Sequence, residues 1–222
     1  MVSKALKQVK KSYGITFVDL DETLFHTFAQ VYIVKNDVVI KKISNKEFNN
    51  YVLLPGESFD FTEFSDSKLF KDTSVPILPM LQRIKDMIKK IKENKSFSRI
   101  ILLTARKDFK DKELFLKAFS DQGIDVTDKN VFYIERSGNL TKGTIAEKKQ
   151  EIIIKYLKTG IYRKCRMIDD DLTNIRHFLE LENNISSEII SKVKETYSLS
   201  DNAKPIFFYA LHITDGKLKK IV

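Results

Sequence analysis

Phe17-Val18-Asp19-Leu20-Asp21-Glu22-Thr23-Leu24 decides how this chain is read. The run before the acids, Tyr13 to Val18, has strand length and is mostly apolar, and it ends in two carboxylates one residue apart. Side chains alternate across a strand, so Asp19 and Asp21 point the same way. At the carboxyl end of a strand in an open α/β sheet they face the crevice where such sheets bind ligands. Carboxylates this close repel, and a cation between them lets both keep their charge. Oxygen donors of this kind suit Mg²⁺. For a lone Asp-x-Asp the plainer reading is an acidic turn after a strand, and the rest of the sequence moves the balance.

Arg99-Ile100-Ile101-Leu102-Leu103-Thr104-Ala105-Arg106 is a second apolar strand, ending in a hydroxyl. Arg166-Met167-Ile168-Asp169-Asp170-Asp171 is a third strand running into carboxylates, and a helix between the two carries Lys148 and Lys149. In order and spacing these stretches resemble the haloacid dehalogenase (HAD) superfamily of phosphotransferases, over Ile15 to Asn174. Asp19-x-Asp21-x-Thr23 resembles the first motif of that family and Thr104 the second. A helical lysine would be the third, and Asp169-Asp170 with Asn174 the fourth, with Asn174 standing where many members have Asp. In outline the chain also resembles phage-encoded HAD proteins.

The resemblance implies roles. Asp19 would be the nucleophile that forms an aspartyl-phosphate. Asp21 would be the general acid for the leaving oxygen and then the base that activates water. HAD dehalogenases lack this second aspartate, so the chain is similar to the phosphatase branch. Thr104 would hydrogen-bond the transferring phosphoryl group, and Thr23 would brace the turn at the substrate site. Asp170 would bind Mg²⁺ directly, supported by Asp169 and Asn174, with Asp19 and the backbone carbonyl of Asp21 completing the protein ligands. Arg106 either reaches a substrate phosphate or pairs with a surface acid.

The lysine has three candidates. Lys149 lies four after Ile145 and three or four before Ile152 and Ile153, so it projects from the apolar stripe of its helix. A solvated lysine has little reason to sit there. Lys148 is one position off the stripe and Lys142 lies in the preceding loop, so Lys149 ranks first and Lys148 second.

The 222 residues can bury one sizeable core, and 42% hydrophobic residues mark a globular chain. No apolar run approaches the roughly 20 residues of a membrane span. The amino terminus has no apolar core of signal-peptide length, and the single cysteine, Cys165, fits a buried thiol in a cytoplasmic protein. Lys and Arg number 39 against 30 Asp and Glu, a net charge of +9. That excess either attracts phosphate-rich partners or only aids solubility. No helix-turn-helix, zinc-ligand spacing or recognition signature accompanies it.

Residues 1–12 read as a basic, helical lead-in. Val31–Val34 and Val38–Ile40 flank Lys35-Asn36-Asp37 as a β-hairpin, the flap expected after a first HAD strand. Ser58 to Phe64 alternates polar and aromatic residues, Phe59, Phe61 and Phe64, and forms either a satellite core or a cap that lines the substrate entrance. Helices are predicted over 78–92, 111–120, 145–158, 172–182 and 187–196, with strands between them and an Asp215-Gly216 turn before a last strand. The expected fold is α/β: one Rossmann-like parallel sheet with helices on both faces, and a flap and small cap insert over 25–75.

The expected function is a Mg²⁺-dependent phosphatase, with nucleotides or nucleic-acid ends as the leading substrate because a small cap leaves the site open to large molecules. A phosphoprotein or small-metabolite phosphatase is the enzymatic rival. A binding or structural protein that keeps the fold without turnover is the rival from another class. A receiver domain also uses Asp, Thr and Lys but lacks the Asp-x-Asp-x-Thr order.

Overall fold

The computed structural model describes residues 12–48, 50–214 and 216–221. The predicted lead-in, apart from Ser12, and Asp215 of the predicted turn lie outside the described residues. In chain order the elements are β1 (Tyr13–Val18), β2 (Phe25–His26), β3 (Val31–Lys35), β4 (Val38–Ile43), α1 (Asn45–Phe48), β5 (Glu57–Asp60), α2 (Ser67–Thr73), β6 (Val75–Pro76) and α3 (Leu78–Glu93). They continue with β7 (Arg99–Thr104), α4 (Lys112–Ser120), β8 (Phe132–Arg136), α5 (Ile145–Leu157), β9 (Tyr162–Asp169), α6 (Leu172–Asn184), α7 (Ser187–Tyr197), β10 (Phe207–Thr214) and β11 (Lys217–Lys220). None of the helices among the described residues is long and apolar enough to cross a membrane.

The central sheet has six strands in the order β11-β10-β9-β1-β7-β8. Five of them run parallel, and β11 pairs antiparallel to β10. The expected parallel sheet is thus parallel only in part, and it ends in an antiparallel edge where the turn expected before the last strand returns the chain. A short reversal through Gly216 can return the chain only alongside its own strand in the opposite direction, whereas a parallel partner needs a long crossover.

β1 sits at the centre because both its faces are apolar. Tyr13, Ile15 and Phe17 pack on one side with α5, α6 and α7, and Val18 packs on the other with α3, α4 and α2. The helices bury matching stripes, such as Met80, Leu81, Ile84, Ile88 and Ile91 of α3, behind Pro79 in its first turn. Fully burying a side chain of this size contributes about 1.5–3 kcal/mol, so the two cores dominate the stability of the fold.

The chain goes from β1 to β7 and β8 on one side, then to β9 and β10 on the other. The order therefore reverses between β1 and β9, and in such sheets the crevice outside the carboxyl ends opens there. Asp19 and Asp169 stand at those two ends.

The segment between β2 and β6 forms a cap. Phe25 pairs with Pro76 and His26 with Val75, which pins its two ends together. Within it lies a three-stranded antiparallel sheet, β4-β3-β5, so the predicted two-stranded flap gains a third strand from Glu57–Asp60. Asn36 and Asp37 both have positive φ, 50° and 61°, as a two-residue reversal between twisted strands requires. One face of this sheet buries Val31, Ile33 and Ile43 against Phe48, Tyr51, Phe59 and Phe64.

Candidate active site

β1 delivers Asp19 and β9 delivers Asp169 and Asp170 to the same edge. Ligand oxygens of these three carboxylates lie within 4.8 Å of one another. Lys149 reaches them from α5, with Nζ 2.6 Å from Asp19 Oδ1 and 2.8 Å from Asp169 Oδ2. The helix starts at a reciprocal cap, Thr144 with Glu147, and buries Ala146, Lys149, Ile152, Ile153, Tyr156 and Leu157. The buried stripe thus begins at Ala146, while Ile145 stays 42% exposed and faces the cleft. Lys149 is 2% exposed and carries its charge into the sheet edge.

Each carboxylate has a distinct set of partners. Asp169 is saturated: Oδ1 accepts from Asp171 N at 2.9 Å and Asn174 Nδ2 at 3.1 Å, and Oδ2 accepts from Lys149 and, at 3.2 Å, from Asn174 Nδ2. Asp19 spends Oδ1 on Lys149. Among the described residues, the Asp170 carboxylate receives only a long contact, 3.4 Å from the Thr23 hydroxyl. Its backbone carbonyl accepts from His212 Nε2 at 2.8 Å, which fixes the tautomer of that ring and the orientation of the loop. His212 therefore braces the site. Free lone pairs for a cation belong to Asp19 and Asp170, and Asp169 orders the lysine.

The electrostatics agree. Burial pushes the Asp19 carboxyl well above its ordinary value; Lys149 opposes this, and Asp169, Asp170 and Asp21 add to it. Burial and the Asp169 charge push Asp170 up to about 7. Burial works to lower the Lys149 pKa, but Asp169 and Asp19 more than offset it and hold the ammonium charged. One lysine does not neutralise three carboxylates, and an all-oxygen donor set with surplus negative charge fits Mg²⁺.

Asp21 is placed differently from the expectation. Its Oδ1 lies 2.6 Å from Arg106 Nη2, its Oδ2 lies 3.0 Å from Arg106 Nε, and Oδ1 also accepts from the Thr27 hydroxyl at 2.6 Å. Burial alone would raise its pKa, but the Arg106 charge and hydrogen bonds hold it below the usual carboxylate range. The side chain of Asp21 stands apart from the metal-holding group, and the ligand expected from this residue was its carbonyl. Arg106 is 3% exposed and pairs with neither a surface acid nor open solvent. Its Nη1 also donates to Phe64 O at 3.1 Å, and its guanidinium lies 4.9 Å from the Phe64 ring and 5.2 Å from that of Phe70. One arginine thus ties the acid of the β1 turn to the backbone of the cap.

Thr104 is fully buried and does not reach the cleft surface; its hydroxyl accepts from Arg106 N at 3.1 Å. A tight turn at the end of β7 takes up the hydroxyl and turns the Ala105 and Arg106 positions into the cleft wall. Lys148 is half-buried and lines the cleft, and Lys142 is exposed and away from it.

No family model, curated protein or solved structure matches this chain.

The cleft holds about 680 Å³ and contains wall residues that the sequence reading missed, Ser137 and Gly138. They follow β8, and the rule that singled out the carboxyl ends of β1, β7 and β9 applies equally there. Ser137 Oγ donates to Thr104 O at 3.1 Å, so this turn is strapped to the end of β7. A β-carbon on Gly138 would overlap the Ala105 carbonyl oxygen and lie 2.7 Å from the Arg106 carbonyl carbon. Gly138→Ala is therefore expected to destabilise the protein at the upper end of the overpacking range, about 3 kcal/mol. Gly14→Ala, whose β-carbon would come no closer than 3.5 Å to any neighbour, is the control. Urea denaturation of both variants checks this, and equal midpoints would disprove the close approach.

Proposed function

We propose that this protein is a Mg²⁺-dependent phosphomonoesterase of the HAD superfamily, acting through an aspartyl-phosphate on Asp19. The observation that carries the reading is the convergence of Asp19, Asp169 and Asp170 on buried Lys149 at the point where strand order reverses. Phosphoryl transfer needs an in-line nucleophile, charge neutralisation and a proton for the leaving oxygen. Asp19 is anchored through one oxygen, which leaves the other to attack. Lys149 neutralises charge on the transferred group. Mg²⁺ held by Asp19, Asp170 and the carbonyl of Asp21 would supply further neutralisation of the phosphoryl oxygens.

In the first step an Asp19 oxygen bonds to phosphorus, the bond from phosphorus to the leaving oxygen breaks, and that oxygen takes a proton from Asp21. In the second, water attacks phosphorus, gives a proton to Asp21, and releases phosphate with Asp19 restored. Asp21 can hold that proton only after Arg106 lets go of it. A phosphoryl dianion competes for a guanidinium as strongly as a carboxylate does, because both accept two parallel N–H bonds. Substrate binding thus draws Arg106 from Asp21 and frees the acid. The pairing of Asp21 with Arg106 also favours the rival reading, a fold kept for binding without turnover.

Activity on a panel of phosphate esters, with and without chelator, separates the two. Mg²⁺ should restore hydrolysis after chelation, and it should also raise the melting temperature by neutralising Asp19 and Asp170. Full hydrolysis in excess chelator contradicts the metal role, and a melting shift without hydrolysis of any ester favours the binding protein.

A further inference from the structure

Phenylalanine rings from the cap line the same cleft as the carboxylates. Phe48, Phe59, Phe61 and Phe64 all reach it. They hold one another mostly edge to face, with centroids 4.9 Å apart for Phe48 and Phe59, 5.4 Å for Phe48 and Phe61, and 6.0 Å for Phe61 and Phe64. Three of these rings are half-buried by the small cap core. Phe61 is the exception, 41% exposed although three neighbours fix its orientation. A ring held in place by its neighbours yet exposed in a cleft lining offers a platform for another flat, apolar surface.

Cations provide the second observation. Four line the cleft. Lys149 and Arg106 pair with carboxylates here and, in the reaction proposed above, share the one transferred phosphoryl group, whereas among the described residues Lys107 and Lys148 have no acidic partner. The cleft can therefore accept more anionic charge than the one phosphoryl group that Lys149 neutralises.

We propose that the leaving group is a nucleoside, stacked on Phe61, and that Lys107 and Lys148 take the charge of any further phosphate that the substrate carries. This rests on the phosphomonoesterase reading of the same site. A short polyol phosphate would leave Phe61 in water. A base offers a π-face to Phe61 whatever its identity, so recognition would tolerate sequence. The substrate is a phosphomonoester on a nucleoside, free or at the end of a strand.

The chain contains no tryptophan, so Phe61→Trp creates a lone fluorescent reporter on the platform. Adenosine 5′-monophosphate added to this variant should quench its emission, and glycerol phosphate should not. In parallel, kcat/KM is measured for the mononucleotide, for 5′- and 3′-phosphorylated oligonucleotides, for a phosphotyrosyl peptide and for glycerol phosphate. Phe61→Ala should lower the ratio of nucleotide to glycerol phosphate kcat/KM by roughly 5- to 150-fold, the range one stacked base contributes. An oligonucleotide preference that falls as salt rises assigns the substrate to strand ends, and equal rates for the mononucleotide at all salts assign it to free nucleotides. No quenching, an unchanged ratio in Phe61→Ala, or a peptide that outperforms both nucleotide forms overturns the inference while glycerol phosphate hydrolysis keeps the phosphomonoesterase reading. Quenching with no hydrolysis of any ester does the reverse: the nucleotide platform stands and the phosphomonoesterase reading falls.

Discussion

Asp19→Asn is expected to abolish phosphate-ester hydrolysis, by on the order of 10⁴–10⁶-fold in kcat, as removal of a covalent nucleophile does. The substitution is nearly isosteric and keeps an oxygen for Lys149, whose second partner, Asp169, is untouched. It also removes one of three mutually repelling carboxylates, so the fold should be at least as stable as the parent. Lost activity in a stable variant then reports on chemistry alone. Asp21→Asn should cost less, roughly 10²–10⁴-fold, because it removes acid–base assistance and leaves the nucleophile. Steady-state rates beside melting curves test both, and Asp19→Asn turning over at the parental rate would mean that another residue attacks.

Lys149→Met should be the most destabilising polar substitution in the chain. It leaves Asp19 and Asp169 buried, 7% and 0% exposed, without their shared cation. Removing one partner of a buried ion pair costs about 3–5 kcal/mol, which in a domain of this size lowers the melting temperature by roughly 6–20 °C. Mg²⁺ should recover more of that loss than it adds to the parent, since it supplies the missing charge. Lys148→Met, on the same helix but with no carboxylate partner among the described residues, should change stability by less than about 0.5 kcal/mol. Thermal melts of the two variants with and without Mg²⁺ check this. Equal melting temperatures would show that the two lysines do not differ in environment.

Much of this site could be read from sequence because its parts lie at ends of regular elements. β1 and β7 are mostly apolar runs that stop at Asp19 and Thr104, β9 runs through Met167 and Ile168 into Asp169, and a parallel sheet brings such stops to one edge. Lys149 was legible because a lysine in an apolar helical stripe needs a buried acid. The pairing of Arg106 with Asp21 was not, since it spans 85 residues and depends on where the cap settles. The burial of Thr104 followed from a turn in which its own hydroxyl accepts from the Arg106 backbone N–H, which neighbouring residues in sequence do not announce. Gly138 stayed hidden for a related reason: only the tertiary approach of two backbones distinguishes it from any loop glycine. The aromatic run of the cap admitted two readings, a satellite core and a cleft lining, and the rings serve as both.

Chemical trapping tests the central claim most directly. Protein quenched during turnover of a phosphate ester and treated with borohydride should have its acyl phosphate reduced to the alcohol, and peptide mass mapping should place homoserine at position 19, only when Mg²⁺ and substrate were both present. Hydrolysis that proceeds with position 19 unreduced, or reduction at a different carboxylate, would contradict the account.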